Sequence, residues 1–128
     1  MAHILFIEDE PWMGELYVQV LGRDHDVVWL RDGYEAIDAI DRYHPDVILL
    51  DVMLPWVSGI QLLHELASYR DTANIPVVLF SAALPDNISE DVLRTYGVVA
   101  TINKSTTKPV DVQHTINQVV NDYAKHTN

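Results

Sequence analysis

Polar side chains follow four short apolar runs of this sequence, at the points where strands would end. These side chains are Glu8, Asp9, Glu10, Asp51, Ser81, Asn103 and Lys104. Two carboxylates about 5 Å apart repel by roughly 3 kcal/mol at an effective dielectric near 20, so gathering several of them favours a bound cation. Oxygen ligands without cysteine or histidine indicate a hard ion, and Mg²⁺, which keeps several waters, suits such an open site.

The elements that would position these side chains alternate between short apolar runs and amphipathic segments. The sequence predicts strands at 3–8, 26–30, 46–51, 76–81 and 98–103, and helices at 11–21, 33–43, 58–67, 86–96 and 108–123. Strands that are apolar on both faces indicate a parallel sheet covered on both sides, and right-handed crossovers restrict its arrangement. We therefore predict an α/β fold, a doubly wound (βα)5 flavodoxin-like sandwich of strand order 2-1-3-4-5, forming a single domain over residues 1–128.

This topology brings the polar strand ends together. In an open parallel sheet, ligands bind beyond the carboxyl ends of the strands, where the strand order reverses. Here that point lies between the first and third strands, which end beside Glu8 and Asp51. Any single acid among them is adequately explained as a capping or solvated loop residue, but the whole set at one edge is not.

The composition limits the classes of function. Eight basic residues against 19 acidic ones leave a net charge of −11, which repels nucleic acid and anionic membranes at long range. No apolar run approaches the roughly 20 residues needed to cross a bilayer. The absence of cysteine excludes disulfides and thiol chemistry. With no visible targeting signal, we expect a cytoplasmic protein that binds neither nucleic acid nor membranes directly.

The runs ILFIEDE, DVILLDVMLPWVSG, PVVLFSA and TINK together resemble the receiver domain of two-component response regulators, over essentially the whole chain. The resemblance implies that Asp51 accepts a phosphoryl group from a sensor histidine kinase or a phosphotransfer protein. It implies that Asp9 binds Mg²⁺ directly, alongside Asp51, and that Glu8 acts through water. The backbone carbonyl of Met53 would be the remaining protein ligand.

The resemblance also implies roles for Ser81, which would hydrogen-bond a phosphoryl oxygen, and for Lys104, which would pair with the phosphoryl group. These roles agree with the chemistry, because phosphoryl transfer needs an in-line nucleophile and neutralised equatorial oxygens. A carboxylate nucleophile forms an acyl phosphate. The added charge of about −1.5 to −2 would shift the loops after strands four and five. The surface of helix four, strand five and helix five would then control a downstream partner, so we expect a switch that catalyses only its own phosphorylation and dephosphorylation, not an enzyme.

Three positions depart from the family pattern. Glu8 replaces the commoner aspartate, and Ser105 stands where proline is usual. Thr101 occupies the position of an aromatic residue that normally moves on activation, so we expect a different coupling route or weaker coupling. We expect Tyr96 to pack against a helix instead of taking the place of that aromatic residue. We also hypothesise that Trp56, in the loop after the phosphoacceptor, is partly exposed near the metal.

Other functions are weaker alternatives. A degenerate receiver that only binds a partner remains open because of Thr101. A phosphatase with an aspartyl nucleophile needs a second acid two residues later, where Met53 cannot transfer a proton. A flavodoxin-like cofactor carrier is disfavoured because the acids Glu8 to Glu10 would repel its phosphate. The sequence shows no output domain, and it leaves open whether the chain is stand-alone or a fragment, and whether it forms a homodimer.

Overall fold

The computed structural model describes residues 2–52, 59–68, 74–83 and 88–124. Within them, strands and helices alternate along the chain. They are β1 His3–Ile7, α1 Pro11–Leu21, β2 Asp26–Leu30, α2 Ala36–Tyr43, β3 Val47–Leu50, α3 Gly59–Ser68, β4 Val77–Ser81, α4 Glu90–Thr95, β5 Val98–Asn103 and α5 Pro109–Ala124. The strands form a parallel sheet in the order β2-β1-β3-β4-β5. The predicted α/β fold class and strand order are confirmed.

The sheet is buried on both faces because successive strand residues point to opposite sides. In β1, Leu5 and Ile7 pack into the core on one face, and Ile4 and Phe6 pack into the core on the other. Each fully buried side chain of this kind contributes about 1.5–3 kcal/mol relative to an exposed one. The two cores hold the strands in register, so the carboxyl ends of the strands meet at one edge of the sheet.

Several boundaries and orientations differ from the sequence prediction. The second helix begins at Ala36 instead of residue 33, because the preceding residues form a turn in which Asp32 Oδ1 accepts a hydrogen bond from the Tyr34 N–H. The apolar pattern of the last helix predicts that Tyr123 points inward, but Tyr123 is 38% exposed and lines a cleft with Pro76 and Val99, near the start of β4 and β5. The predicted start of the fourth helix, at residue 86, lies outside the described residues.

The helices in the described part of the chain are shorter than the roughly 20 residues that a bilayer crossing needs. The longest of them, α5, has 16 residues. None of these helices combines the length and the apolar character that a membrane-spanning helix requires.

Candidate functional site

The candidate site lies where β1 and β3 end side by side. Ile7 and Leu50 are paired in the sheet, so the next residue of each strand emerges at the same level. The backbone N–H of Asp51 donates a hydrogen bond of 3.1 Å to the Ile7 carbonyl oxygen, which continues the pairing by one step. Because the strand order reverses between β1 and β3, Glu8 and Asp51 stand at the crevice where open α/β sheets bind ligands.

Three carboxylates converge at this crevice. Glu8, Asp9 and Asp51 each offer an oxygen, and these oxygens all lie within 4.8 Å of one another. Glu8 is fully buried, Asp51 is 2% exposed and Asp9 is half-buried. The donor set fits Mg²⁺, which binds hard oxygen ligands and keeps several waters, since the partly open side at Asp9 leaves access to solvent.

Lys104 brings a positive charge into contact with these acids. Its ammonium Nζ donates to Glu8 Oε1 at 2.6 Å and to Asp51 Oδ2 at 3.0 Å. The Lys104 backbone N–H donates to the Ser81 carbonyl oxygen at 3.2 Å, so the ends of β4 and β5 hold the lysine over the site. Its side chain is only 14% exposed, and charge-assisted hydrogen bonds of this kind are among the stronger ones in proteins.

The balance of charge at the site is uneven, because two buried carboxylates share one ammonium. Burial, as the largest cause, and the negative charge of Asp51 together raise the pKa of Glu8 from 4.5 to about 7, against the opposing hydrogen bonds from Lys104 and the Glu10 backbone. Burial lowers the pKa of Lys104, but its hydrogen bonds to Glu8 and Asp51 outweigh this and hold that pKa above its ordinary value. Two carboxylates in contact with one ammonium, with Asp9 beside them, form a site that a cation would stabilise.

The structure adds a contact that sequence reasoning missed. The indole Nε1–H of Trp29, in β2, donates a hydrogen bond of 2.9 Å to the backbone carbonyl oxygen of Glu8. Glu8 Oε2 also accepts a hydrogen bond of 3.2 Å from the Glu10 N–H. In the sequence, the contact of Trp29 is indicated only by Gly14, a glycine inside a predicted helix. Such a glycine indicates that a large side chain packs against the helix, but the sequence does not show which strand supplies that side chain.

Other predicted site residues make contacts of their own or lie outside the described residues. The Ser81 hydroxyl donates to the Ala83 carbonyl oxygen at 3.0 Å, so its single proton is used within the turn after β4. Thr101 is exposed and lines a cavity of about 240 Å³ together with Ser81. Met53 and Trp56 lie outside the described residues.

Tyr96 contacts helix α3 and not the acid cluster. Its hydroxyl oxygen lies 3.2 Å from His64 Nδ1. The two rings pack edge to face, with centroids 5.5 Å apart and an interplanar angle of 85°. This contact between α3 and the end of α4 agrees with a helix-packing role.

Comparison with known proteins gives a consistent set of relatives. Residues 4–119 match the family model described as response regulator receiver domain. A probable transcriptional regulatory protein of Mycobacterium tuberculosis, TcrX, is 34% identical over 88% of this chain and 46% of its own length. A hybrid signal transduction histidine kinase D of Dictyostelium discoideum is 31% identical over 92% of this chain but only 7% of its own length. The chain thus spans less than half of either relative.

Solved structures share the fold. The BeF3-activated N-terminal receiver domain of Klebsiella pneumoniae RstA has a TM-score of 0.78 and 32% identity, covering 92% of this chain and 97% of its own. A CheY-like receiver domain protein of Methanospirillum hungatei has a TM-score of 0.86 at 19% identity, covering 98% of each chain.

Proposed function

Since the chain belongs to the response regulator receiver domain family of two-component signalling, we propose that Asp51 accepts a phosphoryl group from a partner histidine kinase in an Mg²⁺-dependent reaction. One observation carries the proposal. A buried carboxylate at the end of β3 lies 3.0 Å from a lysine ammonium and within 4.8 Å of two further carboxylates. This arrangement combines a nucleophile, a phosphate-binding cation and a set of metal ligands.

Each side chain has a part in this reaction. A carboxylate oxygen of Asp51 attacks phosphorus, and the bond from phosphorus to the donor atom breaks as the acyl phosphate forms. Lys104 gives up its contact with Asp51 Oδ2 and pairs with a phosphoryl oxygen. Glu8, Asp9 and Asp51, with the backbone carbonyl of Met53, would hold Mg²⁺. When bound, this ion neutralises charge on the phosphoryl oxygens.

The same residues supply a route to a signal. Phosphorylation adds about −1.5 to −2 charge beside Lys104. Lys104 follows β5, and its backbone is hydrogen-bonded to Ser81 at the end of β4. If the Ser81 hydroxyl leaves the Ala83 carbonyl for a phosphoryl oxygen, the turn after β4 loses this hydrogen bond and is freer to rearrange. Such a change would alter the surface formed by α4, β5 and α5, where a downstream partner would bind.

Receiver domains interact with histidine kinases and downstream effectors, and we propose that this one acts in the cytoplasm as a switch and not as a turnover enzyme. The net charge of −11 favours basic protein partners over nucleic acid or membranes.

The test is incubation with Mg²⁺ and a small-molecule phosphodonor, followed by mass spectrometry of the intact protein. We expect a gain of about 80 Da, the mass of one phosphoryl group, that requires Mg²⁺ and disappears in Asp51→Asn. The matched control is Asp41→Asn, since Asp41 is an exposed acid on α2. An adduct that persists in Asp51→Asn, or forms equally with a chelator present, contradicts the proposal.

A second candidate function is a degenerate receiver that binds its partner regardless of phosphorylation. Thr101 favours it, because a small exposed side chain at that position of β5 cannot move into the site as a ring does. A pull-down that compares the form loaded with a phosphoryl analogue and the Asp51→Asn form separates the two. Capture of the same partner by both forms supports the degenerate receiver.

A further inference from the structure

We propose that Trp29 is a positioning residue for the acids that hold the metal. Its indole N–H fixes the peptide unit that joins Glu8 to Asp9, through the hydrogen bond of 2.9 Å to the Glu8 carbonyl oxygen. The inference rests on the proposed function, because it concerns how this chain prepares its Mg²⁺ ligands. It assigns a role to a residue of β2, a strand whose end contributes no side chain to the acid cluster.

The Glu8 carbonyl stands where β1 leaves the sheet. The Glu8 N–H still donates to the Leu30 carbonyl oxygen of β2 at 3.0 Å, as the last backbone bond on that side of β1. Beyond it, the chain turns into α1, and the indole of Trp29 takes over as the partner of the Glu8 carbonyl. Because a peptide unit is planar and moves as one body, holding this carbonyl restricts the backbone on both sides of it. The Cα–Cβ directions of Glu8 and Asp9 are restricted with it.

Helix α1 leaves space for the indole of Trp29 at Gly14. A Cβ placed on Gly14 would lie 1.9 Å from Cζ2 and 2.1 Å from Cε2 of Trp29, so only glycine leaves room for this ring. Glycine is unfavourable inside a helix because it loses more backbone entropy on folding than other residues. Gly14 is buried and lies in the first turns of α1, where its N–H donates to the Glu10 carbonyl oxygen at 2.9 Å. The ring is therefore held between α1 and the end of β1.

The effect should appear in Mg²⁺ binding, because Mg²⁺ demands near-ideal octahedral geometry. Loss of a partner that orients a metal ligand typically weakens binding by about 10- to 100-fold. Trp29→Phe removes the N–H and keeps an aromatic ring over Gly14. We expect its affinity for Mg²⁺ to fall about tenfold, at the lower end of that range, since the lost partner acts on the backbone and not on a ligand atom.

The experiment is a calorimetric titration of Mg²⁺ into the wild-type chain, Trp29→Phe and Trp12→Phe. The Trp12 variant is a matched control, because Trp12 Nε1–H also donates a hydrogen bond, of 2.8 Å, but to the carboxylate of the exposed Glu10. We expect Trp12→Phe to bind Mg²⁺ as the wild type does. Equal affinity in Trp29→Phe and the wild type overturns the positioning role.

A second substitution separates positioning from packing. Benzothienylalanine at position 29 keeps the two-ring shape of tryptophan and lacks the N–H. We expect urea unfolding close to that of the wild type, together with the same loss of Mg²⁺ affinity. Wild-type affinity in this variant overturns the proposal, whatever Trp29→Phe shows. A wild-type chain that binds no Mg²⁺ overturns the proposed function as well, whereas wild-type affinity in both Trp29 variants overturns the positioning role alone.

Discussion

The carboxyl edge of the sheet has two unlike halves. At the ends of β1 and β3, Glu8 and Asp51 are buried and share the ammonium of Lys104 at 2.6 and 3.0 Å. Towards the ends of β4 and β5, Ser81 and Thr101 line a cavity of about 240 Å³. The Ser81 hydroxyl donates its hydrogen bond to the Ala83 carbonyl oxygen, within the turn that follows β4. The half that would hold a phosphoryl group is already assembled, and the half that would respond to it has room to rearrange.

The difference follows from the cost of burying charge. A buried carboxylate needs partners, so Glu8 and Asp51 are held by hydrogen bonds that leave little freedom. Among the described residues, every buried side-chain nitrogen and oxygen has a hydrogen-bond partner. A cavity beside small side chains imposes no such demand, and its walls lose only packing contacts. Charge therefore fixes one half of the edge, and the open cavity leaves space for movement in the other.

The largest effect should come from removing the shared cation. Lys104→Met leaves two buried carboxylates without their ammonium, and removing one partner of a buried ion pair destabilises by about 3 kcal/mol or more. We expect a loss approaching this size in urea unfolding at pH 8, where Glu8 of the wild type is ionised, and partial recovery in saturating Mg²⁺. Lys108→Met, at an exposed position just before α5, serves as the control and should change stability little. Equal losses of stability in Lys104→Met and Lys108→Met would contradict the view that buried charge fixes the half of the edge formed by β1 and β3.

A smaller effect should appear in the pH dependence of stability without Mg²⁺. The pKa of Glu8 lies at about 7 in the folded chain, above its ordinary value of 4.5. The folded state therefore binds the proton more tightly. This contribution is fully present below about pH 4.5 and is lost as the pH rises through 7. We expect the free energy of unfolding to fall by on the order of 2 kcal/mol between pH 5 and pH 8 from this group.

Glu8→Gln isolates that contribution, because it keeps the shape and removes the titration. The difference in unfolding free energy between wild type and Glu8→Gln should change with pH over this interval. A constant difference from pH 5 to pH 8 would mean that Glu8 titrates alike in the folded and unfolded chains.

The two halves also differ in how far the sequence predicts them. The meeting of Glu8, Asp9 and Asp51 follows from topology alone, because acids that directly follow neighbouring parallel strands must emerge together. The direction of the Ser81 hydroxyl does not follow, since it depends on a rotamer and on the conformation of a turn. The hydrogen bond from Trp29 to Glu8 cannot be predicted from the sequence either, because it runs from a side chain of β2 to the backbone just after β1. Sequence patterns specify which strand ends meet, and packing decides where each side chain points.

The smallest effect on stability should come from the open half, where two hydroxyls line one cavity. Ser81→Ala removes a hydrogen bond worth about 1 kcal/mol, and Thr101→Val removes an exposed hydroxyl with a change of less than about 0.5 kcal/mol. Their functional effects should differ, because Ser81 adjoins Lys104 through the backbone bond of 3.2 Å. We expect Ser81→Ala to weaken binding of beryllium trifluoride to the Mg²⁺-loaded chain, and Thr101→Val to leave it unchanged, in a calorimetric titration. If both variants bind the analogue as the wild type does, the Ser81 hydroxyl does not reach the phosphoryl group, and the open half must respond through Lys104 alone.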